Sequence, residues 1–210
     1  MTHTSRRKFL SAVTALAGTT MLPLTINSKP GDDGEWDMSW LDQLKGKHKQ
    51  VFDLGDLASL GVVRNWLDAY QEVYGLRHPD INAVIGIGGS SFPVNASDEV
   101  YKNFPIGEHW KLNDPETQKP AVRNIFLDGG KTPLDQSKTV HALQARGVIF
   151  WQCNKALHKI AKELAELVKR PEADVYPELK ACLNPGVILV PAHTMLIGLA
   201  QEHGCTYEAV

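Results

Sequence analysis

Cysteine is scarce in this chain: Cys153, Cys182 and Cys205 are the only three among 210 residues. That is too few for a disulfide-built scaffold. No Cys-x-x-Cys pair occurs, which disfavours a thioredoxin-like dithiol. Long apolar runs are also missing. The stretch Phe9 to Leu24 is broken by Thr14, Gly18, Thr19, Thr20 and Pro23, whereas a membrane span wants about 20 predominantly apolar residues. Basic residues are in short supply beyond the first stretch. Residues 1–30 hold Arg6, Arg7, Lys8 and Lys29 and no acidic residue, so 18 basic face 24 acidic residues in 31–210. A domain of net charge -6 offers no basic face for nucleic acid. Internal repeats are absent, and the spacings of His109, His141 and His158 match no standard metal site.

What is present begins with an address. Residues Ser5 to Leu10 read Ser-Arg-Arg-Lys-Phe-Leu, a basic region leading into a modest apolar run, which is export-signal organisation. The arginine pair followed by Phe-Leu resembles the twin-arginine (Tat) signal. That resemblance implies passage of the folded protein through the Tat translocase to the periplasm. Ala15-Leu16-Ala17 offers a cleavage pattern early in the run, and no lipobox cysteine follows. The domain plan is therefore a signal and linker start at 1–30, a linker at 31–46 and one domain at 47–210. About 180 residues suffice for a single core.

Within the domain, apolar runs alternate with helical stripes. Strands are expected at Lys47–Leu54, Ile81–Gly89, Val148–Cys153, Val187–Pro191 and Cys205–Glu208. Helices are expected at Val62–Tyr74, Thr139–Arg146, Asn154–Val168 and His193–His203. Residues 92–135 hold five prolines and read as a long insertion, with a short helix at Ser97–Phe104 and a strand near Val122–Leu127. Continuous apolar strands between amphipathic helices predict an α/β domain: a three-layer α/β/α sandwich with a mainly parallel sheet of about five strands.

Ligands in such sheets gather at the carboxyl ends of the strands. Cys153 sits at one of these ends, with Asn154 expected as the N-cap of the next helix and Lys155 beside it. Helix N-terminal N–H groups favour a thiolate, hence a nucleophile; the alternative is a buried structural cysteine. Gly88, Gly89 and Ser90 follow another strand and present backbone N–H groups to an anion, or simply permit a tight turn. The stretch Gly86–Ser91 lacks a phosphate-loop lysine and the third glycine of a dinucleotide fingerprint. His193 opens the helix after the fourth strand, as a proton-transfer partner to Cys153 or as a cap. Cys182 and Cys205, each beside a turn, are open to bridging in an oxidising compartment, leaving Cys153 free.

The run Gly147-Val-Ile-Phe-Trp-Gln-Cys153-Asn-Lys-Ala-Leu157 resembles the central strand and helix start of the DsrE/DsrF-like family. So do Leu183 to Ala192, Leu196 to Tyr207, and the strand Ala83 to Gly89 with its glycine turn. The resemblance covers residues 47–92 and 137–208. Here Asn154 follows the cysteine directly, where the family has one intervening residue, and the insertion has no counterpart. The resemblance implies a homo-oligomeric α/β domain and a sulfur carrier holding a persulfide on Cys153, with small sulfur species or a thiol protein as partners and no other cofactor. Two further readings stand beside it. One is a periplasmic binding or assembly module using the insertion, with Phe104, His109 and Trp110. The other is a cofactor- or metal-dependent periplasmic enzyme, which folded export would suit.

Overall fold

A computed structural model describes residues 36–128 and 133–210. The expected export signal and the expected start of the linker lie outside the described residues. Five strands form one all-parallel sheet, β1 (His48–Asp53), β2 (Ile81–Ile87), β3 (Ile149–Cys153), β4 (Val187–Val190) and β5 (Thr206–Ala209), in the order β4-β3-β2-β1-β5. Nine helices accompany them among the described residues: α1 (Leu60–Tyr74), α2 (Phe92–Asn95), α3 (Asp98–Asn103), α4 (Ile106–His109), α5 (Pro133–Gln136), α6 (Val140–Ala145), α7 (Asn154–Val168), α8 (Glu172–Ala181) and α9 (His193–Glu202). The expected α/β sandwich is therefore the fold.

The strand order explains which face each helix covers. Parallel crossovers are right-handed, so every step in one direction along the sheet lays its connection on the same face. From β1 to β4 the chain steps one way, and α1, α6, α7 and α8 all lie on one face. Leu60, Val63 and Leu67 of α1 and Val140 and Leu143 of α6 pack there against Phe52, Ile85 and Phe150. Leu157, Ile160 and Leu164 of α7 pack with Val175 and Leu179 of α8 and with Leu189. The last connection runs back from the β4 edge to the β5 edge, so α9 crosses the opposite face. There Leu196 and Ala200 cover Val51, Val84, Trp151, Ile188 and Val190. Side chains alternate across each strand; hence Phe150 and Gln152 face α6 and α7, while Trp151 and Cys153 face α9.

Four expectations need correction. The segment 31–46 is not all linker: a short 3-10 turn at Ser39–Gln43 buries Trp40 and Leu41, and Leu44 follows, beneath Trp151 on the α9 face. The insertion 92–135, expected as mostly loop, carries the short helices α2 to α5. Phe92, Val100, Tyr101, Phe104 and Ile106 are buried and share a core with α7 and α8. Residues 122–127 form turns rather than a strand. Asn124 directs them, its Nδ2 donating to Val94 O and Ala96 O and its N–H donating to Asp98 Oδ1. Finally, α8 appears where no element was expected, with Pro177 inside it.

Candidate functional site

Cys153 and His193 meet at a topological switch point. The helix after β3 lies on one face and the helix after β4 on the other, so a crevice opens between the two adjacent strand ends. Cys153 ends β3 and pairs with Val190, the last residue of β4. Pro191 and Ala192 then turn the chain so that α9 begins directly over the cysteine.

The sulfur is the N-cap of α7 in its own right. Cys153 Sγ accepts a hydrogen bond from Ala156 N at 3.4 Å and a second from His193 N at 3.3 Å. One donor belongs to the first turn of α7 and the other to the first residue of α9. Two helix starts, each with its positive dipole end, therefore converge on one sulfur. Asn154, expected as the cap, is the first residue of α7; its Oδ1 accepts from the Tyr176 hydroxyl at 2.7 Å and is engaged with α8 rather than with the thiol. Lys155 is exposed beside the site. Cys153 itself is 6% exposed.

The imidazole of His193 does not reach the sulfur as a proton-transfer partner. Nδ1 accepts from Trp151 Nε1 at 3.0 Å, and Nε2 lies 2.8 Å from Asp53 Oδ1. An indole N–H can only donate. Its bond to Nδ1 therefore places the ring proton on Nε2, where it donates to the Asp53 carboxylate. The other carboxylate oxygen, Oδ2, accepts from the Tyr207 hydroxyl at 3.0 Å. That bond to a negative group pushes the phenol of Tyr207 up, holding its proton in place as a donor.

Sheet register assembles this chain of bonds. Asp53 pairs with Gly86, and Gly86 with Trp151, so the three stand side by side at the carboxyl ends of β1, β2 and β3. His193 spans from Trp151 to Asp53 over the middle position. A Cβ at Gly86 would lie 2.5 Å from the Trp151 ring and 2.9 Å from His193 Cε1. Glycine at this point is what lets the imidazole lie across the row. Sequence reasoning did not reach Asp53, Tyr207 or the role of Gly86. The one visible trace was a glycine in the middle of an apolar strand, which marks a close approach.

The glycine turn lies on the other side of Cys153. Gly88 O accepts from Gln152 Nε2 at 3.0 Å, Gly89 O from Phe92 N at 3.2 Å and Ser90 O from Trp110 Nε1 at 3.0 Å. Its carbonyls are thus tied to β3, α2 and the end of α4. Gly89 approaches Ala156 at the start of α7, and open space surrounds the position of a Cβ on Gly88. Gln152 is fully buried and also accepts from Asn95 Nδ2 at 3.2 Å, so the turn rests on a polar network beneath it.

The other two cysteines lie elsewhere. All three are free thiols. Cys182 packs with the α7–α8 layer and Cys205 beneath α9, on opposite faces of the sheet, which rules out the Cys182–Cys205 bridge. Burial pushes both thiols up, and the Glu99 carboxylate adds to the shift at Cys182. Among the described residues, no three His, Cys, Asp or Glu side chains gather as a metal ion requires, and no helix is long and apolar enough to cross a membrane. No family model, curated protein or solved structure matches the chain.

Proposed function

We propose that this chain is an exported DsrE-like sulfur carrier that holds a persulfide on Cys153 and delivers it to a thiol acceptor in the periplasm. The observation that carries the reading is the pair of backbone N–H groups, from Ala156 and His193, that converge on Cys153 Sγ at the switch point of a parallel sheet. Such donors stabilise negative charge on sulfur. Nothing in this arrangement needs an imidazole base, and His193 is committed to Trp151 and Asp53.

The chemistry balances without an external oxidant. The Cys153 thiolate attacks the terminal sulfane sulfur of a hydropolysulfide. One S–S bond forms to Cys153, one breaks in the donor, and the shortened hydropolysulfide leaves with the electron pair. In delivery, an acceptor thiolate attacks the outer sulfur of the persulfide and Cys153 leaves as thiolate. The glycine turn, with open space at Gly88, and the exposed Lys155 form the approach for an anionic donor. Cys182 and Cys205 are held as thiols and are poorer competitors at neutral pH.

Intact-mass spectrometry after brief polysulfide treatment tests the reading. The expected result is a gain of one sulfur atom, placed by peptide mapping on Cys153, removed by excess thiol and absent in Cys153→Ser. A gain that survives Cys153→Ser, or no gain in the parent protein, refutes it.

A further inference from the structure

We infer that His193 is a positioning residue: its imidazole, clamped between Trp151 and Asp53, aims the first N–H of α9 at Cys153 and so sets the reactivity of the thiol. The inference concerns the thiol itself and does not depend on whether sulfur is what the thiol carries.

Three observations support it. His193 makes two kinds of contact at once, its backbone N–H meeting Cys153 Sγ and its ring meeting Trp151 of the same strand and Asp53 of β1. Both ring nitrogens are engaged, so the ring has a single satisfied orientation, and its Cα, which carries the backbone N–H, is fixed with it. The clamp is also built into the sheet. Trp151 is fully buried, Gly86 leaves room for the ring, and Asp53 is steadied by Tyr207. The residue before α9, Ala192, offers no side-chain cap, so the ring clamp is the side-chain anchor at the start of the helix, while Leu196 and Ala200 hold it further along.

The ionisable groups around the pair come from four elements. Asp53 of β1 and Tyr207 of β5 face the ring, Lys155 of α7 lies beside the thiol, and His193 is itself the first residue of α9. Nδ1 already holds the indole proton donor, so the ring proton sits on Nε2, toward Asp53.

The experiment measures alkylation of Cys153 by iodoacetamide across pH, with peptide mapping to follow Cys153 alone and thermal melting to confirm the fold. His193→Ala keeps the backbone N–H and removes only the aim. Trp151→Phe keeps most of the packing and removes only the indole donor. Each should slow alkylation at neutral pH by about tenfold, the worth of one hydrogen bond to a charged group, and move the rate profile toward alkaline pH. Asp53→Ala should do the same, whereas Asp53→Asn retains an acceptor for Nε2–H and should restore a rate near that of the parent. Parent-like profiles in folded His193→Ala and Trp151→Phe overturn the inference. So does an Asp53→Asn profile as impaired as that of Asp53→Ala, which would make the carboxylate charge, not the clamp, the cause. Should His193→Ala fail to fold, Trp151→Phe and the two Asp53 variants decide the matter.

Discussion

Gly86→Ala is the smallest substitution that reaches the site from within the sheet. The added methyl would press on the Trp151 ring at 2.5 Å and on His193 at 2.9 Å, and both neighbours are held by hydrogen bonds. Overpacking of this kind costs about 1–3 kcal/mol, which urea unfolding would register. Trp40 gives a contrasting case. It is buried beneath Trp151, with ring centroids 6.1 Å apart, and among the described residues its Nε1 meets no acceptor. Trp40→Ala should cost about 3–5 kcal/mol through the cavity it leaves. Trp40→Phe should cost clearly less, because it also deletes an unsatisfied donor. Equal losses in the two variants would show that the indole nitrogen finds a partner in solution. At this scale the sequence was informative about Cys153, whose strand-end position follows from the apolar run before it. It was silent about Asp53, which stands 140 residues from His193 and reaches it only through the register of three strands.

Among the elements, the proline-rich stretch between β2 and α5 is a packed layer with its own internal fastening. Asp114 accepts from Glu116 N at 2.8 Å and from Arg123 Nε at 2.6 Å. The backbone bond to Glu116, then the Arg123 bond, hold its carboxyl below the usual value of 3.8. A carboxylate whose folded value is depressed contributes stability that is full above its unfolded value and is lost as pH falls through the folded one. Asp114→Asn should therefore lower stability at neutral pH and flatten the acid limb of a pH–stability profile, read as urea midpoints at several pH values. Gly107 is where this layer closes on itself: a Cβ there would lie 2.3 Å from Ala121 N, a backbone atom that cannot swing aside. The long helices were readable because α1 and α7 each carry a clean apolar stripe. The helix α8 was not, since Pro177 interrupts it and its apolar face is weak. The missed 3-10 turn is short and mostly polar, and only Trp40 and Leu41 betray its burial. Prolines in the insertion suggest loop, whereas here Pro93 stands at a helix start, where its missing N–H costs nothing.

For the whole molecule, the sheet acts as a partition. Cys182 and Cys205 lie on its two sides, so oxidation cannot join them without unfolding. Mild oxidation of the folded protein should leave no internal disulfide, measurable as three alkylatable thiols after denaturation. Recovery of one would mean that the native sheet opens under oxidising conditions. The fold class was legible because a parallel sheet buried on both faces demands continuous apolar strands, and β2 is buried along its whole length. The order of the strands was not legible, because periodicity records which residues are buried and not which strands are neighbours.

The return of α9 across the sheet has a consequence for synthesis. Of the described strands β1 is the first to leave the ribosome, yet its outer edge pairs only with β5, the last of them. An open edge is a template for unwanted pairing, so the growing chain carries that hazard through most of its elongation. The thiol waits as well. Cys153 emerges with its α7 donor close behind it, while the donor from His193 follows 40 residues later. Completion of the hydrogen-bond pair on Cys153 and closure of the sheet are thus one late event. A nascent chain stalled before α9 would display a cysteine with half of its surroundings and a sheet with one edge exposed.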